Sequence, residues 1–393
     1  MPERKTIIEG LLLLSLFLFF SCSHHDEPSP KVPTTAEKTI LMFLPYSGDN
    51  NNLYANFQQN ISDIEQAIAN AGGLRDCRLL VFISLTSSRA ALVDIAYRNG
   101  QCHRDTLYRY NQPALSTVEG IANILNDTKV SAPAHQYALI VGSHGEGWLP
   151  VKHSAKARAT RYFGGTSGLY QIEIATLARA IDLADMHMQF ILFDDCYLST
   201  IEVAYDLRHT ADYLIASTSE IMAYGMPYHL LFPILTSPLP DYTAICQQFL
   251  HFYENYKNDN RPMPYGTLAV TDLRQVDNMA ILMHEINSQC IFDTSQTESL
   301  QDLDASHWTP TIYFDFGDYA DYLCGERRDL YARFEEQLAK LVICKAATEN
   351  IYSAAGKTIL PLHHFSGLAI SDPSTNESIS TSKQQTAWWT STH

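Results

Sequence analysis

Tyr137-Ala-Leu-Ile-Val-Gly-Ser-His144-Gly-Glu-Gly-Trp148 and Gln189-Phe-Ile-Leu-Phe-Asp-Asp-Cys196 decide how this chain folds. Each is a short apolar run, Ala138 to Val141 and Phe190 to Phe193, that stops at a reactive residue. Runs of this length and composition predict strands buried on both faces, as in a parallel sheet with helices on each side. Chemistry in such sheets sits just beyond the carboxyl ends of the strands, which is where His144 and Cys196 fall. Two neighbouring strands then deliver an imidazole and a thiol to one crevice. A thiol with an ordinary pKa of about 8.5 is mostly protonated at neutral pH, and a histidine beside it takes its proton. The two residues are a candidate nucleophile and base.

Taken singly, each has a plain structural explanation. A Cys at a strand end is often a small buried hydrophobe, and a His before Gly is often a turn. Packing alone does not select the combination, in which Gly142, Gly145 and Gly147 surround the imidazole. Gly145 offers an unhindered backbone N–H, and the N–H of Cys196 joins it as a candidate oxyanion hole for acyl transfer.

The two motifs resemble the clostripain-like cysteine peptidases of the caspase-like clan, with a hydrophobic block before His-Gly and another before Asp-small-Cys. Thr39-Ile-Leu-Met-Phe-Leu-Pro-Tyr-Ser-Gly-Asp49-Asn-Asn-Asn-Leu53 is similar to the family's opening strand and its Asp-Asn-Asn-Leu turn. Ile201-Glu202-Val-Ala-Tyr205-Asp-Leu, Tyr213-Leu-Ile-Ala-Ser217-Thr-Ser-Glu220 and Gly225-Met-Pro-Tyr228 resemble the helix, next strand and specificity loop that follow. The resemblance spans about residues 38 to 230. It implies an α/β fold of the caspase-like class, a three-layer αβα sandwich with a mostly parallel central sheet. It also implies a preference for cutting after Arg or Lys. In the family, the Asp two residues before the nucleophile lies at the base of the first specificity pocket, and Asp194 matches it. A carboxylate there pairs with a guanidinium in bidentate fashion, or with an ammonium as a point charge. The alternative for Asp194 is that it caps the following helix. Glu220 and then Asp315 are the next acidic candidates for the substrate. Asp195 departs from the pattern, standing where the family has a small residue, and a second carboxylate beside the thiol predicts a raised thiol pKa.

Alternating segments fill the rest of the body. Strands are expected at Ile40 to Leu44, Arg78 to Leu85 and Ala91 to Tyr97, the last pairing antiparallel at the sheet edge. Helices are expected at Asn56 to Ala71, Val118 to Asn126, Glu173 to Leu183 and Thr200 to Arg208. Such alternation predicts parallel strands with crossover helices. The peptidase core is assigned to 38–235, and 236–393 to a C-terminal α+β elaboration packed on it. There Tyr242, Ile245, Phe249, Phe252 and Tyr256 recur at helical spacing. Thr267 to Thr271 and Gly367 to Ser371 read as strands, Val276 to Cys290 and Leu330 to Ala347 as helices. Tyr313-Phe-Asp315-Phe-Gly-Asp318-Tyr319 is a candidate wall of the crevice, with buried aromatics and exposed acids as the plain alternative. The Ser- and Thr-rich tail from Ser371 to His393 reads as loose apart from Trp388 and Trp389.

The chain opens with Arg4 and Lys5, the apolar run Leu11 to Phe20, then Ser21-Cys22. The run is well short of the roughly 20 residues a bilayer span needs, so 1–21 read as a signal peptide. Cys22, directly after the apolar region, fits a lipobox and is the candidate lipidation site, with an ordinary secretory signal as the alternative. Residues 22–37 carry Pro28, Pro30 and Pro33 and little apolar bulk, which predicts a solvated tether. The expected location is the cell envelope, at the outer membrane on its periplasmic or surface face.

Hydrophobic residues make up 46% of the chain, enough for a sizeable core. Cys77, Cys102, Cys246, Cys290, Cys324 and Cys344 show no CxxC spacing, which argues against a zinc site and leaves disulfide pairing open. No cofactor is called for. The Asp49-Asn-Asn-Asn cluster reads as a turn and helix cap, and calcium there is the lesser alternative because loop-type ligand spacing is missing. A net charge of −16 argues against a nucleic-acid partner and favours basic peptide or protein substrates, and the chain is expected to be a monomer. Leu149 to Gly165 holds Lys152, Lys156, Arg158 and Arg161 with no acid, and reads as a mobile surface loop and a candidate site of self-processing. Two other readings compete with the peptidase. One is a surface lipoprotein that uses the fold as a peptide- or glycan-binding module. The other is a serine hydrolase using Ser143, which lacks a nucleophile-elbow context.

Overall fold

The computed structural model describes residues 34–45, 53–149, 163–164 and 171–393. Cys22, the Asp49 cluster and the candidate processing positions Lys152, Lys156, Arg158 and Arg161 lie outside the described residues. One sheet contains β1 (Ala36–Leu44), β2 (Cys77–Thr86), β3 (Arg89–Arg98), β4 (Gln101–Asn111), β5 (Ala134–Gly142), β6 (Met188–Asp194), β7 (Ala211–Ala216), β8 (Thr267–Asp272) and β9 (Val342–Ala347). Their spatial order is β9-β8-β7-β6-β5-β1-β2-β3-β4. The contiguous centre, β7-β6-β5-β1-β2, is parallel. Antiparallel pairs close both edges, β3 and β4 on one side, β8 and β9 on the other.

Alternation along the central strands builds the two helix layers, because successive side chains in a strand point to opposite faces. Ile40, Met42 and Leu44 of β1, with Phe190 and Leu192 of β6, pack against α1 (Tyr54–Asn70), which contributes Phe57, Ile61 and Ile64. Leu41 and Phe43 of β1, with Ile191 and Phe193 of β6, face the opposite layer. That layer holds α2 (Val118–Ser131), α3 (Ile174–Leu183) and α4 (Ile201–Leu207). The first layer continues through α5 (Tyr228–Leu235) and α6 (Tyr242–Glu254), the second through α7 (Val276–Gln289), α8 (Phe316–Cys324) and α9 (Arg328–Leu341). Burying each large apolar side chain contributes about 1.5–3 kcal/mol, so a strand slipped by one residue would exchange two complete sets of contacts. Residues beyond 236 supply β8 and β9 to this same sheet and helices to both layers.

Several expectations are corrected. The edge strand is β4, not Ala91 to Tyr97, which lies inside it as β3. β4 is polar, with exposed Arg104 opposite Glu65 and Arg109 in the strand, as befits an edge that must not pair with another chain. The helix expected over Leu330 to Ala347 stops at Leu341, and the chain continues as β9. Gly367 to Ser371 forms only the two-residue strand Ala369–Ile370, paired with Phe314–Asp315. The tail is ordered by helices Ser380–Gln384 and Ala387–Thr392, and Trp388 packs edge-on against Tyr205 and Phe316. β1 begins at Ala36, inside the stretch assigned to the tether, because Ala36 already pairs with Ala134.

Candidate active site

Gly142 of β5 is in register with Asp194 of β6, so Ser143-His144 and Asp195-Cys196 emerge side by side at the carboxyl end of the sheet. They line a cavity of about 450 Å³ together with Gly145, Glu146, Asp194, Glu220, Gly225 and His307. That volume suits a small ligand or a single side chain with its backbone. The described lining carries four carboxyl groups, Glu146, Asp194, Asp195 and Glu220, and neither Lys nor Arg.

Cys196 is half-buried, and its Sγ accepts from the Ile221 N–H at 3.3 Å. Burial pushes the thiol well above its ordinary pKa, and the Glu220 carboxylate adds to this, while the Ile221 N–H opposes it. Asp195 raises the thiol as expected, but contributes less than Glu220. Its carboxyl instead accepts from the Ser143 N–H and from Ser143 Oγ, the latter at 3.1 Å. Burial and the neighbouring Asp194 hold Asp195 well above the usual carboxylate range. Ser143 Oγ also accepts from the Gly164 N–H at 2.9 Å, so this hydroxyl is committed to structure and is not a free nucleophile.

Backbone bonds fix His144. Its N–H donates to Gly164 O at 3.1 Å, and its carbonyl accepts from the Gly164 N–H at 2.9 Å. Burial lowers the imidazole pKa below 6.5, so the ring is neutral at neutral pH. The ends of the expected surface loop are therefore not loose: Leu149, Phe163 and Gly164 are all buried. A Cβ on Gly145 would lie 2.3 Å from Cys196 O and 2.4 Å from Leu198 Cδ2, so only glycine lets this loop rest on the turn after Cys196. Among the described residues, neither the Gly145 nor the Cys196 N–H has a hydrogen-bond partner. Tyr197, next in the chain, is fully packed in a left-handed conformation with φ 61°, stacked on Tyr313. A bulky residue held there costs on the order of 1–3 kcal/mol and marks a turn imposed by its surroundings.

Asp194 does not cap the following helix, whose N-cap is Thr200. Its Oδ1 accepts from the Met226 N–H at 2.9 Å and its Oδ2 from the Tyr228 hydroxyl at 3.0 Å. Gly225, at φ +77°, lies against the carboxylate, and a Cβ there would come within 2.6 Å of both oxygens. Burial raises Asp194 to about 7 despite the two hydrogen bonds. Behind it, the Tyr253 hydroxyl of α6 donates to Gly225 O at 2.6 Å.

Glu220 lines the same cavity, and its Oε2 accepts from the Ala354 N–H at 2.9 Å. Ala354 and Ala355 sit at the tip of the hairpin formed by Asn350–Ser353 and Thr358–Pro361. These alanines and His307 were not foreseen. His307 lies with its Nε2 3.9 Å from Glu146 Oε1 and its ring against Trp308 and Tyr197. The run from Tyr313 to Tyr319 does not line the cavity. Tyr313 is fully buried with its hydroxyl donating to Glu146 O, Asp315 caps α8 and accepts from the Ser366 N–H, and Asp318 accepts from the Gln301 N–H.

The model of the clostripain family, Peptidase_C11, matches residues 46–358. A secreted C11 cysteine protease from Bacteroides thetaiotaomicron, "iotapain", matches with a TM-score of 0.84 at 44% identity, covering 92% of this chain and 100% of its own. A clostripain from Bacteroides thetaiotaomicron ATCC 29148, in complex with the peptide inhibitor BTN-VLTK-AOMK, gives 0.55 at 48% identity over 59% of this chain and 99% of its own. An inactive zymogen C11 protease from Parabacteroides distasonis gives 0.77 at 26% identity, over 92% and 99%. Among curated proteins none matches significantly.

Proposed function

Since the chain belongs to the clostripain family of cysteine peptidases, we propose that it is an exported, lipid-anchored endopeptidase cleaving after Arg or Lys through Cys196 and His144. Neutral His144 takes the Cys196 proton as sulfur attacks the scissile carbonyl, then returns it to the leaving amine. Because burial keeps the thiol protonated and the imidazole neutral, proton transfer accompanies attack and does not precede it. The Gly145 and Cys196 N–H groups receive the oxyanion, and water then hydrolyses the thioester with His144 again as base.

Asp194 carries this reading. It is a buried carboxyl fixed by Met226 and Tyr228 in the cavity that Cys196 and His144 line, with no cation in the described lining. A guanidinium or ammonium entering there would supply the charge partner that burial demands. Glu220 is the second acidic contact. The related clostripain's inhibitor, in which lysine directly precedes the AOMK group, is consistent with a basic first subsite.

Self-processing after Lys152, Lys156, Arg158 or Arg161, and anchoring through Cys22, complete the proposal. Among the described residues no helix is long and apolar enough to cross a membrane. Mapping cleavage sites in an unbiased peptide pool tests the core of the reading. Cuts concentrated after Arg and Lys, absent with Cys196→Ala, support it, and cuts after other residues or surviving in the variant overturn it. The elevated thiol pKa is the one observation that favours a catalytically weak binding module instead. Selective labelling of Cys196 by an Arg- or Lys-based covalent inhibitor supports the peptidase, and its absence at any pH supports the binder.

A further inference from the structure

Cys246 lies on the buried face of α6 and Cys344 in the edge strand β9, and their sulfurs are 3.0 Å apart. Two unbonded sulfurs prefer a wider separation than this. No other pair of described cysteines has its sulfurs in contact. Cys246 is 3% exposed, while Cys344 is half-buried and its Sγ donates to Tyr242 O at 3.1 Å. We propose that Cys246 and Cys344 are a disulfide-forming site, closed by a small-molecule or protein disulfide.

Exchange is balanced without any other reactant. The Cys344 thiolate, the more accessible of the two, attacks one sulfur of the donor disulfide and releases one donor thiolate. Cys246 then gives up its proton and displaces the second donor sulfur. Two protein thiols are oxidised to one disulfide, and the donor is reduced to two thiols.

The position gives the link a consequence for the proposed pocket. Phe249 and Tyr253 follow Cys246 at helical spacing on one face of α6, and all three are buried. Tyr253 donates to Gly225 O, and Gly225 lies against the Asp194 carboxylate. A covalent bond from β9 to α6 therefore ties the outermost strand on that side of the sheet to the helix that backs the floor of the cavity. Edge strands fray most readily, because half of their backbone groups lack a partner strand.

Formation in the cell needs an oxidising compartment, so the physiological part rests on export and not on the peptidase chemistry. The site itself is tested on the reduced, purified full-length chain incubated with oxidised glutathione, then blocked with N-ethylmaleimide and mapped by mass spectrometry. The expected product is a Cys246–Cys344 cross-linked peptide, with Tm raised by about 5 °C for a closed loop of this length and a rise that dithiothreitol reverses. Cys344→Ser removes both the cross-link and the reductant-sensitive rise. Full maleimide labelling of Cys246 and Cys344 after glutathione treatment overturns the site. Protein blocked directly in isolated cell envelopes answers the other question: labelled thiols there, with closure in vitro, would overturn closure in the cell and leave the site standing.

Discussion

Asp194→Asn separates the pocket from the chemistry. The amide keeps the shape of the side chain and an acceptor for the Met226 N–H, and removes the charge. In the ligand-free wild type Asp194 titrates at about 7, so at neutral pH only about half the molecules present an anion to an incoming cation. On the proposed reading, kcat/KM for Arg and Lys substrates rises through about pH 7 and drops about tenfold for each pH unit below it. Burial lowers His144 from its ordinary value, so its own acid limb lies below that of Asp194. In the variant the limb set by Asp194 vanishes and the remaining acid limb, lower in pH, reports His144. At pH 8 the variant loses about 10²-fold or more in kcat/KM for Arg and Lys, about 2.7 kcal/mol. Matched fluorogenic peptides differing only at P1, with citrulline as the neutral control, provide the assay. The same carboxyl works against folding. Its folded pKa exceeds the ordinary 3.8, so its contribution to stability is fully present below about 3.8 and lost as pH rises to about 7. The loss is on the order of 4 kcal/mol, so Asp194→Asn should melt above wild type at pH 8, by a margin that shrinks on acidification. Retention of the Arg/Lys preference together with the wild-type acid limb would refute the assignment.

Cys196→Ala should abolish turnover, and His144→Ala should come close to it at unchanged Tm, since nucleophile and base act as a unit; peptidase activity in purified Cys196→Ala would sink the dyad. Glu220→Gln removes the larger of the charges that raise the thiol, so the pH profile of Cys196 alkylation should move to lower pH, and an unmoved profile would show that burial alone sets it. Cys22→Ser should release the protein from membranes or leave its signal uncleaved, because stable anchoring takes more than one acyl chain; a normally cleaved, membrane-retained variant would exclude lipidation. Purified wild type, but not Cys196→Ala, should convert to two fragments with a new N-terminus after Lys152, Lys156, Arg158 or Arg161, and a fully active intact chain would show that this segment is not a maturation site.

The strands that carry the site were legible because both their faces are buried, which leaves an unbroken apolar run that ends where the chemistry begins. Ala138 to Val141 and Phe190 to Phe193 are all at most 1% exposed. β4 escaped because an edge strand on a solvent face needs no such run, and its Gln101 to Asn111 reads as polar loop. The passage from α9 to β9 carries no Gly or Pro, so the change from a 3.6-residue to a two-residue period at Leu341–Val342 lacks punctuation. In the tail, Ser and Thr suggested looseness, yet Thr386 caps the last helix through the Trp389 N–H and anchors buried Trp388. His144 and Cys196 announce themselves locally. His307 and Ala354 reach the cavity only through packing of distant segments, and an alanine at a hairpin tip has no local signature of lining a cavity.

On the proposed reading, the acids in the cavity act on the thiol as well as on the substrate. Glu220, Asp195 and Glu146 each raise the Cys196 pKa, on top of burial. On the proposed reading, Glu220, the second acidic contact for a basic side chain, therefore also holds the Cys196 thiol in its unreactive form. A guanidinium or ammonium seated at Asp194, with Glu220 on the same cavity, offsets part of that field at the moment the scissile carbonyl arrives. A neutral P1 side chain fills the same volume without doing so. Binding energy at the first subsite is then expressed partly as activation of the thiol, and an interaction that strengthens toward the transition state appears in kcat and not only in KM. The Arg-to-citrulline comparison on wild type should consequently show a split between kcat and KM, with kcat carrying a substantial part of the preference.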